Sequence, residues 1–470
     1  MKITFVVDKV HDIYKRDWTE KVTDFLFQTP GCVSANDDTF GWRYHNKELI
    51  ADHVNSGHVD LVSYKDYTYN PYSYYVINIG RIEHLLNPTW IYHIDQDVFE
   101  FLNKTNMPIL LFYALEGTGF LRVEDYKNIV FHKNNRKLKN KFFILSLTHY
   151  NDIDFKEVRL SDLDPLIEDF DWIHSVSFFA RYANKTMHTD STVDIWKRTN
   201  YIIKDHDYKN KKYNFLCLNN TPSHNRIMIL KMLYADDKLY NSNLISNRYT
   251  FTEDPVEMMR ARTAEIQSII NQEKQYTYDE NAKEFLASHN IVDKATITSN
   301  EYIKFLIELL YKPIAPVTVI PGDGPATNDN FDLNWFYDSI FSLVTETYQW
   351  THETSCNHTM ITEKTTKCFV QKHPFIIYGY GNSHLLCQKY GFKTFDSVFG
   401  LPRDLGPGNI TMTERLYNIM KFLKNFDISK IDINLVKEYT EYNYNRLVDT
   451  DWHKVQCDLL KDKIRLQSNL

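Results

Sequence analysis

Apolar residues recur along this chain in short blocks bounded by polar turns. The blocks at 3–7, 59–63, 75–79, 108–113, 142–147 and 172–177 are rich in Val, Ile, Leu and Phe and too short for helices, which predicts buried strands. The polar run 204–212 then predicts a hinge, placed at 195–212, before a second series. That series opens with a strand at 213–218. Thr221-Pro222 starts a helix expected to reach Tyr234, with Ile227, Leu230 and Tyr234 facing inward. A strand is expected at 244–246. Helical spacing at 255–275, 279–289 and 301–310 marks 251–335 as a helical insertion. A strand at 340–344 ends at Thr345-Glu346. Thr362 suits the N-cap of a short helix with Glu363 and Lys364 in its first turn. A strand at 374–378 runs into a turn at Gly379 and Gly381. Asn382 or Ser383 caps a helix at 384–390, Gly391 stops it, and 392–395 is expected as a third strand of this block. Thr413-Glu414-Arg415 opens a helix with Leu416, Ile419, Met420 and Leu423 on its apolar face, and 433–466 is mostly helical by pattern.

Strands alternating with helices over short connections predict an α/β protein of parallel sheets covered by helices. A chain of 470 residues suits two or three domains, set at 1–200, 201–430 and 431–470. In such sheets ligands sit at the carboxyl ends of strands, beside helix N-termini. That edge here carries Asn219, Glu346, Glu353, Thr362, Glu363, Lys364 and Gly379, and Arg226 early in a helix can hold a pyrophosphate through two hydrogen bonds.

Composition changes the picture in a few places. An apolar content of 43% and a charged content of 24% are those of a globular protein. The 32 tyrosines and 29 phenylalanines either fill the core or form stacking platforms, and core filling is their commoner use. A net charge of −7 without a long basic tract gives no general electrostatic case for tight nucleic-acid binding. The most basic run, 132–141, is either a solvated loop or a contact for a phosphate backbone or an acidic glycan. Cys32, Cys217, Cys356, Cys368, Cys387 and Cys457 form no CxxC pair, which argues against a zinc ribbon or disulfide framework and fits a reducing compartment. The N-terminal apolar block is too short for a signal peptide, and no window nears the roughly 20 apolar residues that span a bilayer. A cytoplasmic location without membrane contact is expected.

Some local signals point to chemistry. Glu116, at the end of a predicted strand and followed by Gly117 and Gly119, is a positioned acid. Asp95-Gln96-Asp97 has the spacing of a divalent-metal motif, but it also opens a predicted helix, where acids favour the dipole. Pro321-Gly322-Asp323-Gly324-Pro325 lacks the Lys-Ser/Thr of a phosphate loop.

The block 345–395 resembles the nucleotide-sugar-binding half of the α-1,3-fucosyltransferase-like glycosyltransferases, and more closely a set of phage and bacterial glycosyltransferases that share it. The pattern is a strand ending in Glu346, Thr362-Glu363-Lys364, an apolar helix, Pro374-Phe375-Ile376, a glycine turn, and Gly391-Phe392-Lys393-Thr394-Phe395. Glu346 matches the phage-type position. Glu353, nine residues before Thr362, matches the spacing of the fucosyltransferase Glu-Asn-Ser and remains its rival. The resemblance implies a GT-B-like layout: two Rossmann-like domains facing a cleft, with the last helices crossing back to the first. It implies an inverting glycosyltransferase that needs no metal or other cofactor, a UDP- or GDP-linked sugar as donor, and Glu116 as base. Arg226, Lys364 and the helix start at Thr362 would face the diphosphate; Glu346 or Glu363 would take sugar or ribose hydroxyls. A hydroxymethylated pyrimidine in phage DNA is the first acceptor to test and a cell-surface glycan the second. The alternatives are a non-catalytic sugar- or nucleotide-binding module and a metal-dependent transferase using Asp95 and Asp97. Animal Golgi fucosyltransferases carry a membrane anchor, and the chain departs from them there.

Overall fold

Strands that bury both faces pair in parallel and need helices above and below them. The computed structural model describes residues 2–7, 53–78, 88, 91–92, 94–113, 123–146, 149–150, 170–183, 205–219, 224–234, 236–247, 334–346, 358–379, 383–401 and 412–468. The strands that build its two larger sheets are β1 Ile3–Val7, β2 Val59–Ser63, β3 Ser73–Asn78, β4 Ile109–Tyr113, β5 Phe142–Ser146, β6 Phe170–His174, β7 Tyr213–Asn219, β8 Leu244–Asn247, β9 Ser339–Thr345 and β10 Phe375–Tyr378. The main helices are α1 Gln96–Thr105, α2 Val123–Asn135, α3 His224–Tyr234, α4 Asn334–Asp338, α5 Glu363–Val370, α6 Ser383–Lys389, α7 Met412–Lys424, α8 Ile433–Asp449 and α9 Trp452–Ser468. By packing, the chain divides into two units, Met1–Arg181 with Thr450–Leu470, and Tyr182–Asp449.

The first unit holds a sheet of order β2-β1-β3-β4-β5-β6, parallel throughout. Alternation within each strand assigns its two faces. Ile109, Leu111, Phe142 and Ile144 pack with Val98 and Leu102 of α1 and Ile129 of α2. Their neighbours Leu110, Phe112, Phe143 and Leu145 pack on the other face with Cys457, Leu460 and Ile464 of α9. The last strand was expected at 172–177 but ends at His174. Gln456 of α9 replaces its ladder: its amide donates to His174 O at 3.1 Å and accepts from Val176 N at 2.9 Å.

The second unit holds a sheet of order β10-β9-β7-β8, again parallel. All seven residues of β9 are buried. Phenylalanines fill its core: Phe341 packs on Phe215, Phe399, Phe422 and Phe426, and Phe369 stacks on Phe392 at 4.1 Å. As predicted, Leu416, Ile419, Met420 and Leu423 are the buried face of α7.

Three expectations are corrected here. Residues 392–395 are not a strand. Phe392 and Phe395 are buried, but Asn443 of α8 serves the backbone between them, accepting from Lys393 N at 2.7 Å and donating to Lys393 O at 2.9 Å. On α3 Leu230 is buried as expected, with Arg226, Ile229, Met232 and Leu233, while Tyr234 is only half-buried and the Ile227 side chain lies outside the described residues. The polar run from 205 onward is no hinge: His206 and Tyr208 are buried within the second unit. Residues 195–204 and the predicted insertion up to 333 lie outside the described residues. Among the described residues no helix is long and apolar enough to cross a membrane.

Candidate functional site

The carboxyl edge of the second sheet gathers most of the residues singled out above. Thr345 pairs with Tyr378 in register, and its hydroxyl donates to Asn219 Oδ1 at 2.7 Å, so the ends of β7, β9 and β10 are tied together. Arg226, in the first turn of α3, is only 3% exposed and directs Nη2 to Thr345 O at 3.4 Å. Its burial sets it apart from a surface arginine.

Glu346 continues β9 and is fully buried, with its backbone N–H on Tyr378 O at 3.0 Å. A buried carboxylate needs donors. Oε1 accepts from Thr362 N at 3.1 Å and from the Thr365 hydroxyl at 2.5 Å, and Oε2 accepts from the Thr362 hydroxyl. Close approach to β10 is what makes this possible. A Cβ at Gly379 would stand 2.9 Å from Glu346 Cβ, so a side chain there would push the acid off the helix.

Thr362 is the N-cap of α5, as predicted, and its hydroxyl accepts from Lys364 N at 3.3 Å. Lys364 Nζ reaches the same hydroxyl at 3.3 Å and Glu363 Oε1 at 2.8 Å. Burial alone would raise the Glu363 carboxyl, but Lys364 and Lys367 outweigh it and hold the group down at about 2. Glu363 is therefore an anion at any physiological pH. Two α5 amides expected to face a phosphate are already in use, one by Glu346 and one by Thr362. Of the two cations tied into this edge, Lys364 is the more accessible, its side chain 23% exposed against the buried Arg226.

Asn219, Arg226, Glu346, Thr362, Glu363, Lys364 and Gly379 thus lie along one continuous edge, linked through Thr345. The sequence reading missed Thr365, although its spacing from the Thr362 cap puts both hydroxyls on one side of the first turn. It also missed how Arg415 holds the floor. This buried guanidinium donates to Ile377 O through Nη2 at 2.8 Å and Nε at 3.2 Å, and pairs with Asp396 at 2.9 Å. Ser383, opening α6, donates to Met360 O at 3.2 Å and closes the loop before Thr362 against the edge.

Other predicted residues lie apart. Asp95 and Asp97 sit at the start of α1 in the first unit, both exposed, and Asp95 makes no side-chain capping bond. Among the described residues no three His, Cys, Asp or Glu side chains are grouped to hold a metal ion. The basic run 132–141 turns partly inward. Lys133 lies over Phe142, Arg136 over Phe99 and Lys141 over Phe143, so three of its cations serve packing. Glu116 and Glu353 lie outside the described residues.

Comparison with protein-family models, curated proteins and solved structures finds no match to this chain. The site's meaning therefore rests on its chemistry.

Proposed function

We propose that the chain is a glycosyltransferase whose second unit binds a nucleoside-diphosphate sugar at the carboxyl edge of its sheet. The observation that carries this reading is the Arg226–Thr345/Glu346–Thr362–Lys364 series, which fixes two cations and two acids at the ends of three parallel strands. Departure of a nucleoside diphosphate builds negative charge, which preorganised cations stabilise. Lys364 meets the diphosphate, Arg226 stiffens the strand end beneath it, and Glu363 takes a sugar or ribose hydroxyl. Glu346 becomes a positioning residue, since its oxygens already accept from Thr362 and Thr365. Glu116 is the proposed base for the acceptor hydroxyl. With a base opposite the leaving group, one displacement through an oxocarbenium-like state inverts the anomeric carbon. The acceptor hydroxyl belongs to a hydroxymethylated pyrimidine or to a glycan.

The test is a thermal-shift panel of UDP-, GDP- and CDP-sugars, followed by mass spectrometry of hydroxymethylated DNA and oligosaccharides incubated with the best binder. A mass increment of one sugar on an acceptor is expected. Binding without transfer to any acceptor would favour a non-catalytic module, and absence of any binder would sink the proposal. Lys364→Ala should weaken nucleoside-diphosphate binding by about 1.5–3 kcal/mol in calorimetry, the range for hydrogen bonds to charged groups.

A further inference from the structure

At the opposite, amino-terminal edge of the same sheet, the segment 205–212 packs a buried polar cluster. The two ring nitrogens of His206 have fixed roles. Nε2 lies 2.8 Å from Gln371 O, which can only accept, so Nε2 carries a proton. Nδ1 lies 2.8 Å from Lys211 Nζ, which also donates to Tyr337 O at 2.7 Å. A charged ammonium only donates, so Nδ1 must keep its lone pair. The His206–Lys211 pair therefore has room for one positive charge. A second would set an imidazolium N–H against an ammonium at hydrogen-bond distance.

The surroundings add little relief. The His373 ring lies 5.2 Å from that of His206, with Nε2 3.1 Å from Ser339 O and Nδ1 2.9 Å from Ser342 Oγ. The facing groups are Asp205, Asp207, Tyr208 and Lys211 from the segment, Tyr337 and Asp338 around the end of α4, His373, and Lys372, which is paired with Glu441 of α8. Burial, with Lys211 adding to it, pushes His206 down to about 4. Burial also brings Lys211 down to about 8, against the pull of Asp338 and Asp207.

We propose that residues 205–212 form an acid-released latch on the end of α5, docked while His206 is neutral and released when the His206–Lys211 pair must take a second proton. Gln371 is the C-cap of α5, and His206 supplies its carbonyl with a donor that the helix end cannot provide. Because α5 opens at Thr362, Glu363 and Lys364, the latch holds the far end of the helix that presents the candidate site. That coupling rests on the donor-site reading; the latch does not.

The sign follows from linkage. The docked histidine binds its proton less readily than the ordinary 6.5, so its share of docking is complete above that value and is lost as pH falls toward about 4, while the share of Lys211 is lost at higher pH, between 10.5 and about 8, outside this window. Docking weakens about tenfold per pH unit in this window, or about 30-fold near pH 5. Hydrogen exchange of the amides in 205–212, corrected for intrinsic rates, should show about that loss of protection between about pH 7.5 and pH 5, with the β7 and β9 amides unmoved. His206→Gln keeps a donor and an acceptor without a titrating group and should abolish most of the loss. Should that variant fail to fold, Lys211→Met removes the opposing cation and should shrink the loss. Equal loss in wild type and variants, or none in wild type, overturns the latch. UDP and GDP affinities taken at the same pH values separate the two claims: a flat affinity beside a working latch overturns only the coupling to the site.

Discussion

Glu346 shows how a single side chain can be read correctly in place and differently in role. Its position at a strand end was legible because the apolar run stops there. Its engagement was not, because donors come from Thr362 and Thr365, which a linear pattern cannot place against it. Glu346→Ala leaves buried donors unpaired, at about 1–3 kcal/mol for each. Chemical denaturation of the second unit should show that loss, and Glu346→Gln a smaller one, since one acceptor oxygen survives. Thr362 and Lys364 were readable for the opposite reason: a capping turn is local, and residues two apart settle it. His206 escaped notice because a polar letter code hides an aromatic ring that buries well.

At the scale of elements, strands announce themselves where both faces are buried, as in β4, β5 and β9, since each alternate residue then meets apolar partners. Residues 392–395 bury only their two phenylalanines and do not pair; Asn443 satisfies the backbone of Lys393 from a helix fifty residues further on. Asn443→Leu keeps the branched outline and removes both hydrogen bonds. A loss of about 1–3 kcal/mol is expected in denaturant unfolding, together with faster exchange at Lys393. The β6 boundary moved for a like reason, with Gln456 standing in for a neighbouring strand. Side-chain amides that imitate a ladder are invisible to periodicity.

The whole molecule is two parallel-sheet units, one of them built from both ends of the chain. That the chain is α/β could be read from alternating strands and helices; that β1 and α9 share a core is in no local pattern, and only the family resemblance suggested that the last helices return to the first domain. Leu460 and Ile464 bury against Ile3, Phe5 and Tyr74, and the Tyr74 hydroxyl donates to Leu460 O at 2.6 Å. Each such Leu or Ile contributes about 1.5–3 kcal/mol. A chain stopped after Asp449 should therefore lose the thermal transition of the first unit while keeping that of the second, as scanning calorimetry would read.

The discontinuous first unit also orders events during synthesis. The second unit lies in one unbroken stretch and is translated in full before α9. The first sheet, although translated earliest, must wait with one oily face bare until the final helix arrives. The half made first is thus the last to be completed, and until then its uncovered face carries the risk of aggregation.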